Sequence, residues 1–389
     1  MSERPRPARV PAELFQACGY FLPRLMFLNS RYAPQVHWGD VALALDSFPL
    51  DDLDLGSAGF WDTWRERWVA QAERYRATAE GSTTAAGRAR AYRGAAACYH
   101  WAEFMDFGDA DRKFALRSAV RDCFRRSLEG TDLVVVEDEL PPQDPDGPTI
   151  PYWVLLPPDR PEDRPVPCVV LSNGLDSMTE VEVLSLAEAY LERGIAAVLF
   201  DGPGQGLNVG RSPLRVDMET VVSALLERLG KDGTIDTGRL AFLGVSFGGY
   251  LALRVAQALG SEFRCVVNLS GGPRVAPFAG LPRRLKDDFR FAFAGGQDDV
   301  PDAAAMQVRF DAMAIDPAVV PATPVLSVHG GLDDIFPVSA LEELDRAWGG
   351  LHELRVHAAE AHVCLNRLNT CSLEAADWVA AHLEAPAHP

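Results

Sequence analysis

A G-x-S-x-G motif at residues 244–248 constrains the fold of this chain more than any other feature. It follows an apolar run at residues 240–243 and precedes a helix-compatible stretch at 249–256. A serine in this context stands on a sharp strand-to-helix turn that exposes its hydroxyl above a sheet. The flanking glycines are needed because a Cβ would collide with the neighbouring strand and helix. The motif therefore predicts a strand, a strained turn at Ser246 and a helix.

From residue 131 onward the chain alternates short β-rich runs with stretches of helical periodicity. The first two strands flank a Pro/Asp/Gly turn and predict an antiparallel hairpin. Later strands alternate with helices, which implies a mostly parallel sheet covered by helices on both faces. Strands are predicted at residues 133–136, 152–156, 168–171, 196–200, 240–243, 265–269 and 325–328, and helices at 182–193, 218–229 and 372–383.

The first 130 residues have helical periodicity instead. One aromatic stripe recurs at spacings of three and four residues, and we interpret it as core packing rather than a cofactor site. Its members are Trp61, Trp64, Trp68, Ala72 and Tyr75. Helices are also predicted at residues 12–29, interrupted at Pro23, and at 85–107 and 111–128. We therefore expect an all-helical domain at residues 1–130 and an α/β domain at 131–389.

Residues 271–324 interrupt the α/β rhythm, because they contain helical patterns at 282–293 and 303–313 but no clear strand. An insertion at this point would lie over the carboxyl end of the sheet, where open α/β sheets place their sites. We predict a helical lid at residues 274–316. A helical excursion on the edge of the sheet is the alternative.

Serine is a weak nucleophile unless a histidine accepts its proton and an acid orients that histidine. In this architecture the chain order is serine, acid, histidine. Asp333 lies on the turn after an apolar strand and is the predicted acid, with Asp334 as the competitor because a one-residue shift would exchange them. His362 lies in a loop beyond the last strand-like run and is the predicted general base. The other histidines of this region are His352, His329, which we interpret as structural, His357 within a strand, and His382 and His388 in or beyond the final helix.

An oxyanion hole requires backbone N–H groups that point at the developing negative charge. We predict one donor at Phe247, directly after the serine, and the second at Leu175. Leu175 lies in a loop after an earlier strand, where Gly174 allows close backbone approach. Asp176 and Ser177 either face the site or cap the next helix, and both alternatives stay open.

No cofactor or metal is expected. The glycine-rich run at residues 201–206 follows a strand, but it fails the G-x-G-x-x-G pattern because residue 207 is leucine. No Walker lysine and no H-E-x-x-H motif occur.

The composition limits the partners. The chain has 37 Lys and Arg against 55 Asp and Glu, a net charge of −18, which opposes nucleic acid and anionic membranes as partners. Seven scattered cysteines without C-x-x-C indicate reduced thiols, and no apolar run reaches membrane-spanning length. We expect a cytoplasmic protein that acts on a small molecule, with monomer and homodimer both open.

Together these residues resemble the α/β-hydrolase superfamily from about residue 131 onward. The motifs at 173–177, 201–206 and 244–249 are similar to those of the 2,6-dihydroxypseudooxynicotine hydrolase group, which includes fungal polyketide-shortening hydrolases. The resemblance implies an α/β-hydrolase fold with a mostly parallel eight-stranded sheet, and an N-terminal helical domain that caps the active site. It also implies cleavage of a carbon–carbon bond next to a carbonyl.

Three functions follow as hypotheses. The first is a serine hydrolase that cleaves an ester or a carbon–carbon bond next to a carbonyl in a polyketide-like or aromatic metabolite. The second is a lyase in which His362 removes a proton and acetate is eliminated from an acetylated polyketide or tetronate. The third is a non-catalytic binding module, which an intact Ser, Asp and His set opposes.

Overall fold

The computed structural model describes residues 10–14, 24, 30–49, 54–55, 57–143, 145, 147–161, 164–231, 233–297 and 300–385. The chain divides into two compact units, Met1–Thr131 and Asp132–Pro389. The helix interruption predicted at Pro23 lies outside the described residues.

The described part of the first unit is helical, with helices α1 (Trp38–Ala44), α2 (Ala58–Gly81), α3 (Ala85–Glu103) and α4 (Ala110–Ser127). Ser57, Thr84 and Asp109 cap the starts of α2, α3 and α4, because each side chain accepts a hydrogen bond from a backbone N–H of the first turn. Helix α3 ends four residues before its predicted end at 107. Met105 there adopts a left-handed φ of 57°, which a helix cannot contain.

The aromatic stripe of α2 is core packing within this unit. Trp61, Trp64 and Trp68 are buried, and the ring of Trp64 lies 6.0 and 5.7 Å from the other two rings. The indole N–H of Trp64 donates to the carbonyl oxygen of Trp101 at 2.6 Å, so the polar atom of this buried ring is paired.

A buried ionic cluster lies between α3 and α4. The carboxylate of Glu103 is 2.6 Å from Nζ of Lys113 and 3.0 Å from Nε of Arg117, and His100 contacts its other oxygen at 3.0 Å. Burial alone would raise the pKa of Glu103, but the charges of Arg117 and Lys113 hold it well below its usual range. The cluster therefore stays ionised inside the unit.

The second unit contains an eight-stranded sheet, which confirms the predicted mostly parallel architecture. Its order is β1-β2-β4-β3-β5-β6-β7-β8, with β1 and β2 antiparallel to their neighbours and the other pairs parallel. The central strands are buried on both faces, which explains their continuous apolar runs. The strands are β1 (Val134–Leu140), β2 (Ile150–Leu156), β3 (Val166–Ser172), β4 (Ala196–Phe200), β5 (Ile235–Val245), β6 (Cys265–Leu269), β7 (Val325–Gly330) and β8 (His352–His357).

Helices cover both faces of this sheet. The connection from β3 to β4 moves toward β1 in the sheet, whereas the later connections move toward β8. Because such connections are right-handed, the helix between β3 and β4 lies on the opposite face from the helices of the later connections. Helix α5 accordingly packs with α11, and α6 packs with α7. The helices are α5 (Leu184–Leu191), α6 (Met218–Leu229), α7 (Phe247–Leu259), α8 (Arg283–Ala294), α9 (Ala303–Met313), α10 (Val338–Trp348) and α11 (Leu368–Glu384). In the described parts of the chain, no helix has the length and apolarity needed to cross a bilayer.

In the second unit, the sequence interpretation also differs from the structure at α5 and α10. The helix predicted at 182–193 begins as a π-helical turn, Thr179–Val183, and α5 ends at Leu191. Helix α10 was not predicted, although its buried residues Leu341, Leu344 and Trp348 have helical spacing.

The segment between β6 and β7 is helical and contains α8 and α9. Phe289 of α8 packs against Phe247 of α7 with ring centroids 5.9 Å apart, and Phe310 of α9 packs against Phe289 at 4.8 Å. The hydroxyl of Tyr250 in α7 donates to the carbonyl oxygen of Met313 at 2.8 Å. These contacts hold the segment against the helix that follows the carboxyl end of β5.

Candidate active site

Ser246 occupies the turn between β5 and α7 with a φ of 57° and a ψ of −119°. A left-handed φ is uncommon for a residue with a side chain and costs about 1–3 kcal/mol. Hydrogen bonds hold the strained turn, because the N–H of Ser246 donates to Leu269 O at 2.8 Å and its carbonyl accepts from Gly249 N at 2.9 Å. The strained turn predicted from the motif is present.

The glycines of the motif allow three backbone segments to meet. A Cβ on Gly244 would lie 1.8 Å from the carbonyl oxygen of Gly248. A Cβ on Gly248 would lie 2.4 Å from the carbonyl oxygens of Ser172 and Asn173. Strand β5, helix α7 and the loop after β3 therefore contact each other at a distance that only glycine permits.

Asp333 lies on the turn after β7, and its two carboxylate oxygens have different partners. Oδ1 accepts hydrogen bonds from the backbone N–H groups of Ile335 and Phe336, both at 2.9 Å. Oδ2 faces the ring of His362. The side chain of Asp334 is exposed. Of the two candidate acids, the turn thus places Asp333 against the histidine.

His362 lies in a short turn after β8 and connects the other two residues. Its Nδ1 is 2.8 Å from Oδ2 of Asp333, and its Nε2 is 2.8 Å from Oγ of Ser246. A carboxylate only accepts hydrogen bonds, so Nδ1 carries the proton and Nε2 is free to accept the serine proton. The ring of Phe336 stacks on the imidazole, with centroids 6.0 Å apart. The three predicted residues meet at one point.

The electrostatics keep Asp333 charged. Burial alone would raise the pKa of Asp333. The neighbouring His362 and His329 and the N–H of Phe336 outweigh the effect of burial and hold this pKa below its usual range. His329 donates from Nε2 to the carbonyl oxygen of Phe336 at 2.8 Å, and burial lowers its pKa. His329 therefore supports the turn that carries Asp333 through its bond to Phe336.

The two predicted oxyanion donors, Phe247 and Leu175, belong to segments that adjoin the serine. Phe247 is the first residue of α7, so the helix leaves its N–H unpaired. A Cβ on Gly174 would lie 3.5 Å from Cβ of Ser246, so the loop after β3 approaches the serine closely at Gly174. The next residue in this loop, Leu175, is buried. The N-cap of the next helix is Met178, so neither Asp176 nor Ser177 occupies the capping position.

Phe336 is a residue of the site that the motifs do not single out. It fixes Asp333 through its N–H and stacks on His362 through its ring. The available signal was local, because aspartate side chains commonly accept hydrogen bonds from N–H groups two and three residues ahead.

A model of the family described as esterase FrsA-like matches residues 52–278, more than half of the chain. The chain belongs to the FrsA-like esterase family. A model of the prolyl oligopeptidase family also matches residues 215–385. These matches confirm the resemblance to the α/β-hydrolase superfamily.

Several hydrolases are similar in sequence to this FrsA-like chain. The 2,6-dihydropseudooxynicotine hydrolase of Paenarthrobacter nicotinovorans is 28% identical over 375 residues, which are 91% of this chain and 94% of that protein. The 20-hydroxy-prefusarin hydrolase of Gibberella moniliformis is 35% identical over 207 residues, 50% of this chain and 49% of that protein. Against several such fungal hydrolases, the chain spans about half the length of each relative.

The crystal structure of 2,6-dihydroxy-pseudo-oxynicotine hydrolase superposes on this chain with a TM-score of 0.76 and 23% identity, covering 90% of this chain and 93% of that one. The superposition confirms the predicted α/β-hydrolase fold. With the sequence relatives, it also confirms the resemblance to that hydrolase group.

Proposed function

We propose that this protein is a hydrolase in which Ser246 attacks the carbonyl carbon of an ester, or of a carbon–carbon bond next to a carbonyl. The continuous hydrogen-bonded chain from Asp333 through His362 to Ser246, with both contacts at 2.8 Å, carries the proposal. A nucleophile, a base within reach of its proton and an acid that orients the base are the parts that covalent acyl transfer requires.

In the first half of the reaction, Oγ of Ser246 forms a bond to the carbonyl carbon while Nε2 of His362 takes its proton. The carbonyl electrons move to oxygen, where the N–H groups of Phe247 and Leu175 stabilise the negative charge. Asp333 stabilises the imidazolium. The intermediate then collapses to an acyl-serine: the carbonyl re-forms, the bond from its carbon to the alcohol oxygen or to the leaving carbon breaks, and the leaving group takes the proton from His362.

In the second half, water attacks the acyl carbon while His362 takes one of its protons. The acyl–oxygen bond to Ser246 breaks, the serine recovers its proton from His362, and the acid is released.

We assign the substrate to small or medium carbonyl metabolites of aromatic or polyketide character. Phe247 directly follows the nucleophile and belongs to a cluster of buried aromatic rings with Phe289 and Phe310 of the segment between β6 and β7. Aromatic side chains favour flat, apolar ligands. Two relatives are named for hydrolysis of 2,6-dihydropseudooxynicotine and 20-hydroxy-prefusarin. We propose that residues 274–316 act as a lid.

Hydrolysis of p-nitrophenyl acetate by the wild type and two serine variants tests the nucleophile. Ser246→Ala should lose at least about 10³-fold in kcat, since removal of a triad serine leaves only the residual catalysis of the remaining site. Ser223→Ala is the matched control and should leave kcat unchanged, because Ser223 lies in α6, which contributes no residue to the triad. Undiminished hydrolysis by Ser246→Ala would refute the assignment.

Labelled water separates hydrolysis from elimination. With 4-acetoxy-2-butanone as the probe, both reactions release acetate. In ¹⁸O water, attack at the acyl carbon gives labelled acetate and a hydroxyketone, which is the expected result. Unlabelled acetate with an unsaturated ketone would show that His362 abstracts a carbon-bound proton instead, and would overturn the covalent mechanism.

A further inference from the structure

The glycine-rich turn at residues 201–207 follows β4 and contains a buried polar side chain that the triad does not use. Gln205 is fully buried, at 0% exposure. Its Nε2 donates to the carbonyl oxygens of Asn173 at 2.8 Å and Gly174 at 3.3 Å. Carbonyl oxygens can only accept, so the NH₂ end of the amide must face them. The side chain of Gln205 therefore holds the loop after β3 in place through these two carbonyl oxygens.

These two carbonyls belong to the peptide units on either side of Gly174. A trans peptide unit is planar, and its C=O and N–H point in opposite directions. When Gln205 holds the oxygen of Gly174, the N–H of Leu175 must point away from Gln205. Glycine has the freest backbone of all residues, so these two peptide planes need an external restraint. Gln205 supplies that restraint.

A second contact ties the same loop to the same turn. Nδ2 of Asn173 donates to Oδ1 of Asp201 at 2.6 Å, and Oδ2 of Asp201 accepts from the N–H of Leu207 at 3.1 Å. The turn closes tightly around this carboxylate, because a Cβ on Gly206 would lie 1.9 Å from Cγ of Asp201. The 201–207 turn is thus a rigid support on which Gln205 is held.

The loop that the turn supports lies directly beside the nucleophile. The Cβ direction of Gly174 points at Ser246, 3.5 Å from its Cβ and 3.8 Å from its Oγ. A rotation of the peptide units around Gly174 would move the N–H of Leu175 relative to the serine. The orientation of this donor therefore depends on the amide of Gln205.

We propose that Gln205 is a positioning residue that aims the N–H of Leu175 at the oxyanion formed on Ser246. The inference rests on the proposed function, because an oxyanion exists only if Ser246 attacks a carbonyl. Gln205 acts through the backbone and does not touch the substrate.

The expected effect falls on the transition state. Complete loss of one oxyanion donor costs about 10²–10³-fold in kcat, and a misaligned donor should cost about 10–10²-fold. The ground-state carbonyl carries little charge, so KM should stay within about twofold. A trifluoromethyl ketone, which forms a charged tetrahedral adduct with the serine, should bind more weakly by the same factor as kcat falls. The binding of the acid product should not change.

The experiment uses two variants and a matched control. Gln205→Met keeps the length of the side chain without a donor, and Gln205→Glu keeps its shape but places an acceptor against the two carbonyls. Gln257→Met is the control, because Nε2 of Gln257 also donates to two carbonyl oxygens, those of Asp316 and Val319 at 2.8 and 2.6 Å. Gln257 lies near the other end of α7. Circular dichroism and thermal melting establish which variants fold, and either folded Gln205 variant suffices for the test.

A loss of at least tenfold in kcat, matched by weaker trifluoromethyl ketone binding and absent in Gln257→Met, would support the inference. A folded Gln205 variant with kcat within twofold of the wild type would overturn it, as would equal weakening of the ketone and the acid product. Ser246→Ala, measured in parallel, separates the two proposals. Activity in Ser246→Ala overturns the proposed function, whereas an inactive Ser246→Ala beside fully active Gln205 variants overturns only the positioning role.

Discussion

Replacement of Asp333 by asparagine should disable the site through the wrong tautomer of His362. Two backbone N–H groups, from Ile335 and Phe336, converge on Oδ1 of Asp333. In Asp333→Asn that position must hold the amide oxygen, because an NH₂ group cannot accept these bonds. The NH₂ group then faces Nδ1 of His362 and donates to it. The imidazole proton moves to Nε2, which can no longer accept the proton of Ser246.

The size of the effect follows from the geometry. The imidazolium and the carboxylate are 2.8 Å apart at their nearest atoms. At an effective dielectric constant of about 20 their attraction is about 6 kcal/mol, which is an upper limit because the amide dipole replaces part of it. A loss of about 4–5 kcal/mol of transition-state stabilisation corresponds to about 10³–10⁴-fold in kcat.

Steady-state hydrolysis of p-nitrophenyl acetate measures this loss, with Asp334→Asn as the matched control. Asp334 is the exposed neighbour, so its replacement removes the same charge from the same turn without touching His362. We expect Asp334→Asn to retain kcat within about twofold. An Asp333→Asn enzyme that kept more than a tenth of the wild-type kcat, or an equal loss in Asp334→Asn, would refute the reasoning.

Three further predictions concern stability. Gly244→Ala places a methyl group 1.8 Å from a backbone oxygen and should prevent folding or lower the melting temperature sharply, whereas Gly280→Ala, which meets no atom within 4 Å, should melt like the wild type. Glu103→Gln leaves a buried ionic cluster without its anion and should cost about 3–5 kcal/mol in urea denaturation at pH 7. Because the folded-state pKa of Glu103 is lowered, this difference should shrink as the pH falls below about 4.3. Because burial lowers the pKa of His329, this histidine takes up a proton at a higher pH in the unfolded chain than in the folded protein. The free energy of unfolding should therefore fall as the pH drops below about 6.5. The same pH titration of His329→Gln should give a shallower slope, and an unchanged slope would contradict this assignment.

Local patterns explain why the fold could be predicted. The serine motif, the apolar runs of β4 and β6 and the periodicity of α6 and α9 each depend on neighbours within a few residues, and their bounds agree with the structure. The π-helical start at Thr179 has no comparable sequence signal. The early end of α3 depends on the left-handed backbone of Met105, and methionine is not a residue type that predicts this conformation.

The site could be predicted only in part, for a similar reason. Sequence spacing favours Asp333 but leaves Asp334 as a competitor, and the turn that directs one carboxylate toward His362 separates them. Gln205 contacts a loop about thirty residues earlier, because the parallel strands β3 and β4 end at the same edge of the sheet. Pairing between distant segments of this kind leaves no periodic trace in the chain.

Mass spectrometry of the protein treated with a fluorophosphonate measures the central claim most directly, because the reagent traps an activated serine covalently. We expect one adduct per chain, mapped to the peptide that contains Ser246, with no adduct in Ser246→Ala. An adduct on any other residue, or unchanged labelling of Ser246→Ala, would contradict the account.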